Sequence, residues 1–271
     1  MPAAGNSIGV AAVQMVSVPE VGPNLAAARE LIARAAGEGA RVVALPEYFC
    51  VFGGADTDKV ALREPDGEGP LQSFLAEEAA RHRVWLVGGT VPLRCARPSR
   101  VRNACLVYAP DGTRRARYDK VHLFGLQRAG ARYEESATIE AGATPVVVDA
   151  EGWRIGLSVC YDLRFPELYR RLGPVDLIVV PSAFTFRTGE AHWETLLRAR
   201  AIENQCYVVA PAQGGVHPNG RRTWGHAMLV DPWGEVMRVL AEGEGVVAGT
   251  ISKERLDEVR AMLPALRHRV M

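Results

Sequence analysis

Neither sign of charge is in excess in this sequence: Lys and Arg total 32, Asp and Glu 31. A chain so close to neutral sets up no overall field that would draw it onto nucleic acid or an anionic membrane, which leaves small molecules as its partners. Short basic spots such as "GTRRAR" and "GRRTW" read as solvated turns or rim charges. Cysteine is sparse. The five residues Cys50, Cys95, Cys105, Cys160 and Cys206 are odd in number and without CxxC spacing, which suits neither a disulfide framework nor a structural zinc site and fits a reducing cytoplasm. No stretch reaches about 18 uninterrupted apolar residues, and "MPAAGNSIGV" at the N-terminus lacks a basic segment followed by a long apolar one. The chain therefore reads as soluble and unexported. A Pro/Gly/Ser linker and an abrupt shift of composition are also missing, so residues 1–271 are taken as one domain. "GEGVVAG" lacks the strand–loop–helix context of a phosphate cradle and is read as a turn entering a strand.

What the sequence does have is a series of short, valine-rich apolar runs bounded by turn residues. "IGVAAVQM", "ARVVALPE", "VWLVGGTVPL", "ACLVYAP", "WRIGLSVCYD", "VDLIVVPSAF", "CYVVAPAQ" and "GVVAGTIS" are examples. Continuous runs of this length fit strands covered on both faces. Helical spacing separates several of them. In "NLAAARELIARAAGEGA" the residues Leu25, Ala28, Leu31, Ile32 and Ala35 share one face, and "GPLQSFLAEEAARHR" and "AHWETLLRARAIENQ" behave alike. "APDGT" and "DPWGE" are hairpin turns. Strand–helix alternation mixed with hairpins predicts an α/β layered fold with both parallel and antiparallel pairing.

In open α/β sheets chemistry collects beyond the carboxyl ends of strands. Two such ends carry reactive side chains, "LPEYF" with Glu47 and "SVCYD" with Cys160. A free cysteine is often only a small buried hydrophobe. Cys160, however, stands where an apolar run gives way to "YDLRFPE", with Pro166 suited to opening a helix. Backbone N–H groups at such a strand-to-helix corner lower a thiol's pKa and stabilise a developing oxyanion. Cys50, Cys95, Cys105 and Cys206 have no comparable corner and are read as structural. A thiol nucleophile needs a base or a nearby cation. Two sets can supply them: His192 or His226, or else Glu47 as base with Lys120 of "RYDKVHLF" as cation. Taken singly, Glu47 reads as a strand-end cap and Lys120 as a solvated surface charge.

Three motifs in order resemble the nitrilase superfamily of carbon–nitrogen hydrolases: Glu47 in "VVALPEYF", Lys120 in "YDKVHLF" and Cys160 in "CYDLRFPE". The segments "PSAFTFRTGEAHWETLLRARAIENQCYVVAPAQ" and "GHAMLVDPWGE" extend the similarity from about Ile8 to the C-terminal region. The resemblance implies a four-layer αββα sandwich with mixed sheets. Glu47 is then the general base, Lys120 and the Tyr161 N–H stabilise the tetrahedral oxyanion, and Cys160 forms a thioester. A second glutamate that orients the lysine corresponds to Glu135 or, one position away, Glu134. No metal or organic cofactor is implied. Among members of the family the chain is most similar to deaminated-glutathione amidases, then to ω-amidases acting on α-ketoglutaramate; true nitrilases come third. A homodimer is implied as well. Arg164 can pair with a substrate carboxylate, or else form an ion pair with Asp162 or Glu167; Phe184, Thr188 and His192 can line the pocket. A catalytically silent binding protein of the same fold would be expected to have lost one of the three motifs, and all are present.

Overall fold

The structure, a computed structural model, describes residues 6–128 and 131–270. The first half runs β1 (Ser7–Met15), α1 (Val21–Gly37), β2 (Val42–Ala44), α2 (Asp58–Ala61), α3 (Pro70–His82), β3 (Trp85–Val87), β4 (Val91–Arg94), β5 (Val101–Tyr108) and β6 (Arg114–Asp119). A small hairpin, β7 (Gly125–Arg128) and β8 (Ala131–Glu134), leads into β9 (Val147–Ala150), β10 (Trp153–Leu157), α4 (Pro166–Arg171), β11 (Leu177–Val179) and α5 (Phe186–Asn204). The chain closes with β12 (Tyr207–Ala210), β13 (Ala212–Gln213), β14 (Ala227–Val230), β15 (Val236–Leu240), β16 (Gly245–Ser252) and α6 (Lys253–Met262).

Two large mixed sheets result. In the first, β1, β2 and β3 run parallel, with β5 antiparallel beyond β3 and β16 antiparallel along β1. In the second, β10, β11 and β12 run parallel, with β9 and β14 antiparallel on either side. The parallel neighbours β1–β2, β2–β3, β10–β11 and β11–β12 are each joined through helices, and the hairpins β5–β6, β9–β10 and β14–β15 by short turns, as crossover length requires, while β16 returns from the far end of the chain to lie along β1.

Alternation along the strands sorts side chains into layers. On the first sheet Val10, Ala12, Val42, Ala44, Val87 and Val107 pack with Ile155, Leu157, Leu177 and Val179 of the second, forming the core between the sheets. The intervening Ala11, Val13, Val43, Leu86 and Leu106 face Ala28, Ile32 and Ala35 of α1 and Phe74 and Leu75 of α3. Trp193, Leu197 and Ala201 of α5, Leu168 of α4 and Leu172 just after it complete the layer on the second sheet's outer side. The architecture is the expected αββα sandwich.

One boundary differs. Helical spacing in residues 191–205 places the start of a helix at about Ala191, whereas α5 begins at Phe186. The added turn is held from outside the helix: Phe186 N–H donates to Arg222 O and the Phe186 ring meets Trp224 edge-on. Gly189 permits the approach, since a Cβ there would lie 2.1 Å from the Trp224 Cβ. Thr188 and His192 are thus helical residues.

Candidate active site

Glu47 follows β2 by three residues and Cys160 follows β10 by three, so the two sheets deliver both side chains to the same end of the sandwich. Each corner is sharp. Tyr48 has φ +57° and Cys160 φ +51°, left-handed values at which a residue with a Cβ is strained. The strain at Cys160 turns the chain out of the strand and into a 3-10 turn over Cys160–Arg164, and the Cys160 N–H is held by Pro181 O at 2.9 Å. A strained strand-to-helix elbow of this kind presents a nucleophile to a cleft.

Lys120 lies one residue beyond β6 and is wholly buried. Its Nζ donates to Glu47 Oε1 at 2.9 Å and to Glu135 Oε2 at 2.7 Å. Glu47 Oε1 also accepts from Asn103 Nδ2 at 2.9 Å. Glu135 accepts in addition from the Tyr48 hydroxyl at 2.9 Å and the Phe124 N–H at 2.7 Å. Of the two adjacent glutamates, then, it is Glu135 whose carboxylate meets the lysine, while Glu134 is exposed. Asp162 receives Tyr118 Oη at 2.7 Å, the His122 N–H at 2.9 Å, His122 Nδ1 at 2.7 Å and the Val159 N–H at 2.9 Å.

Two carboxylates and one ammonium leave one negative charge over, and this sets the protonation of the cluster. Burial raises the Glu47 pKa above its usual range, and the opposing Lys120 charge does not cancel that effect. Burial also works against the Lys120 ammonium, but Glu135 and Glu47 outweigh it and hold Lys120 well above the ordinary lysine value. Cys160 is pushed well above the usual thiol range, by burial first and then by Glu47. The expectation that backbone N–H groups lower this thiol's pKa is therefore corrected: desolvation beside a carboxylate wins, and the thiol is protonated at rest. Cys50 and Cys105, at about 12 through burial alone or nearly so, are inert for the plainer reason that they sit in apolar surroundings.

Glu47, Glu135 and Cys160 open onto a chamber of about 380 Å³ lined also by Tyr161, Arg164, Phe184 and Thr188, among others, while Lys120 is wholly buried and outside its wall. The Arg164 guanidinium carbon lies 5.6 Å from the Tyr161 ring centre and 5.4 Å from that of Phe184, and Nη1 is 3.3 Å from His192 Nδ1. No carboxylate among the described residues pairs with Arg164. The alternative of an ion pair with Asp162 fails because Asp162 is already fully engaged. Phe184 is both core, with its ring 4.8 Å from Trp193, and wall. Thr188 Oγ1 meets Thr185 Oγ1 at 2.8 Å. His192 is exposed and reaches the chamber only through Arg164. His226 is stacked on Trp224, with ring centres 4.0 Å apart, and bonded to the Trp224 carbonyl. The Cys/His alternative finds neither histidine in the chamber wall.

Sequence reasoning missed Tyr48, Asn103 and Asp162 as parts of the cluster, and it misread Arg221. Of the "GRRTW" arginines, Arg222 is the expected rim charge, paired with Glu242 at 2.8 Å, but Arg221 lines the chamber. Two adjacent arginines in a turn carry no local signal for which one faces inward.

Fold and site together define the class: an αββα enzyme in which a buried glutamate and cysteine line one chamber and a wholly buried lysine is bonded to that glutamate. Residues 9–261 match the Carbon-nitrogen hydrolase family, and the chain belongs to it. Among its relatives, the Deaminated glutathione amidase of Synechocystis sp. is 44% identical over 266 residues, covering 96% of this chain and 97% of that protein. Omega-amidase NIT2 of Homo sapiens is 36% identical over 251 residues, covering 91% and 89%. Nit3 of Saccharomyces cerevisiae, described as a member of branch 10 of the nitrilase superfamily, matches in structure with a TM-score of 0.87 at 29% identity, covering 98% of each chain.

Proposed function

We propose that this chain hydrolyses deaminated glutathione through a thioester on Cys160, the whole of residues 1–271 acting as a single domain. The observation that carries the reading is the buried Lys120 ammonium, 2.9 Å from Glu47 and 2.7 Å from Glu135, two carboxylates that line one chamber with Cys160. Amide resonance makes the substrate carbonyl a poor electrophile, and attack requires that negative charge on its oxygen be stabilised. As the Cys160 sulfur bonds to the carbonyl carbon, Glu47 takes the thiol proton. The oxyanion that forms is met by Lys120 and the Tyr161 N–H, which stands at the open start of its 3-10 turn. Glu135 orients the lysine and keeps it charged. Glu47 then returns the proton to the amide nitrogen, the C–N bond breaks and the leaving amine departs. A water molecule, deprotonated by Glu47, attacks the thioester; the thiol is regenerated and a carboxylic acid leaves. The scheme calls on no metal or organic cofactor. Arg164, over Phe184 in a wall that Thr188 also lines, binds a carboxylate of the acyl portion, with His192 bracing it from outside.

Greater identity to a deaminated glutathione amidase than to an omega-amidase favours this substrate over α-ketoglutaramate. Both give the same 2-oxo diacid, so its release from each, measured in parallel, tests the reading. A large preference for α-ketoglutaramate makes the chain an ω-amidase instead, and release from neither defeats both.

A cytoplasmic setting is supported by five free cysteines. No helix among the described residues is long and apolar enough to cross a membrane. Homodimer formation through the outer helical layers is supported by Ile202 on α5 and by Met262 and Leu263 at the end of α6, large apolar side chains left exposed. Sedimentation of the purified protein tests it.

A further inference from the structure

A second space adjoins the Cys160 chamber. It is the larger of the two, about 580 Å³ counted out to its open mouth against about 380 Å³. Tyr48, Phe52, Phe124, Glu135 and Arg221 line both and form the wall they share. Glu47, Cys160, Arg164, Phe184 and Thr188 line only the inner chamber. The outer space therefore holds none of the reacting groups, and it lies across the shared wall from the side chains that receive the acyl portion. An amide bound at Cys160 with its acyl carboxylate on Arg164 directs its nitrogen substituent toward this outer space.

Arg221 is the member of the shared wall whose charge is uncommitted. Its guanidinium carbon lies 5.2 Å from the Phe52 ring centre and 4.6 Å from that of Tyr133. The Nε is buried and without a hydrogen-bond partner, and no carboxylate among the described residues pairs with the group. A second cation stands close by. Lys59 of α2 donates to Asp56 O at 2.6 Å and to Thr138 Oγ1 at 3.3 Å. Burial, and with it the Arg221 charge, lowers the Lys59 pKa although Asp56 and Glu135 act the other way. The acids around the same space are engaged or peripheral. Glu135 is taken by Lys120, Tyr48 and Phe124; Asp58 caps the Ala55 N–H; Asp56 and Glu134 are exposed.

A buried guanidinium N–H without an acceptor carries an unmet desolvation penalty, which an arriving carboxylate removes, and a guanidinium can take a carboxylate through two N–H groups at once. From this arrangement we infer that Arg221, with Lys59 beside it, is the specificity-determining anchor for a carboxylate on the leaving-amine side of the substrate. The inference rests on the amide-hydrolysis reading above and assigns its two ends: the acyl carboxylate to Arg164, a peptide-like leaving amine ending in a carboxylate to the outer space. When the C–N bond breaks, the nitrogen takes the proton held by Glu47 and the freed amine is already in a space open to solvent. Cysteinylglycine, the amine that deaminated glutathione releases, has this chemistry. Ammonia, released from α-ketoglutaramate, reaches neither cation.

The test compares three substrates: deaminated glutathione, its analogue with the terminal carboxylate converted to a carboxamide, and α-ketoglutaramate. The wild-type protein is expected to favour the carboxylate over the carboxamide by about tenfold or more in kcat/KM, the difference expressed in KM, as for one charge-assisted contact. In Arg221→Gln that ratio falls about tenfold, and Arg221→Lys restores part of it. A wild-type ratio near one overturns the inference without recourse to any variant, as does a ratio that Arg221→Gln leaves unchanged. Turnover of α-ketoglutaramate alone overturns the preferred substrate and this inference with it. Turnover of deaminated glutathione with no dependence on its terminal carboxylate overturns the inference and leaves the substrate standing.

Discussion

The Tyr118 hydroxyl lies 2.7 Å from the Asp162 carboxylate, and this bond ties the strand that delivers Lys120 to the elbow that carries Cys160. Tyr118 precedes Lys120 by two residues and His122 follows it by two; both reach Asp162, which stands two residues after Cys160. Asp162 has no solvent contact and also caps the Val159 N–H, so the strained corner and the lysine are positioned by one carboxylate. Lys120 and Cys160 come from distant stretches of chain, and such a cross-link is what fixes their spacing.

Tyr118→Phe removes one donor from a buried, charged acceptor, and is expected to lower stability by about 1–3 kcal/mol. Because Tyr118 acts through Asp162 and not on substrate, kcat should fall while KM changes little. Thermal denaturation and steady-state kinetics together check this. Unchanged values of both Tm and kcat would show that the bond positions nothing.

Cys160→Ala is expected to abolish the covalent route and leave the fold intact, since alanine and cysteine meet the same backbone strain at φ +51°. Intact-mass measurement during turnover should detect the acyl adduct on the wild-type protein and none on the variant. Normal amide turnover by Cys160→Ala would end the mechanism.

Lys120→Met strands the Glu47 and Glu135 carboxylates in a buried pocket without their shared cation. Breaking a buried pair in this way costs about 3–5 kcal/mol, and the pocket responds by binding a proton. The rate should drop by about 10² to 10³ from the lost oxyanion contact alone, and the acidic limb of the pH profile should move to higher pH. Retention of both rate and profile would show that the ammonium has no part in the reaction.

The pH dependence follows from the direction of two shifts. Glu47 works as a base only when ionised, and burial raises its pKa above the ordinary 4.5. Activity should therefore rise with pH through a region above that value and then level off. No second rise is expected near the ordinary thiol value of 9.0, because Cys160 lies well above it and in the proposed mechanism attacks as a thiol that loses its proton to Glu47. Glu47→Gln should remove the acidic limb along with most of the rate. A rise that tracks thiol ionisation in the wild-type protein would contradict the protonated resting state.

Much of the fold was legible locally. The apolar runs ending in "LPEYF" and "SVCYD" are followed by chemistry at both strand ends, and the face shared by Ala28, Ile32 and Ala35 is the face α1 buries. Such patterns are readable because a strand or helix records in its own periodicity which side meets the core. The start of α5 was not, since its first turn is held by Arg222 and Trp224, residues far along the chain.

The sequence by itself determined the layered α/β architecture, the helices of its outer layers and the presence, in order, of a glutamate, a lysine and a cysteine beyond apolar strands. Only the tertiary structure decided that the glutamate and the cysteine line one chamber with the lysine bonded to that glutamate, that Glu135 and not Glu134 meets Lys120, that burial beside Glu47 pushes the thiol's pKa up, and that Arg221 faces inward while Arg222 pairs at the surface. The reason is one of range. Periodicity and turn chemistry are properties of neighbouring residues, whereas the burial and charge that set a proton's position come from whatever the fold brings across the cleft.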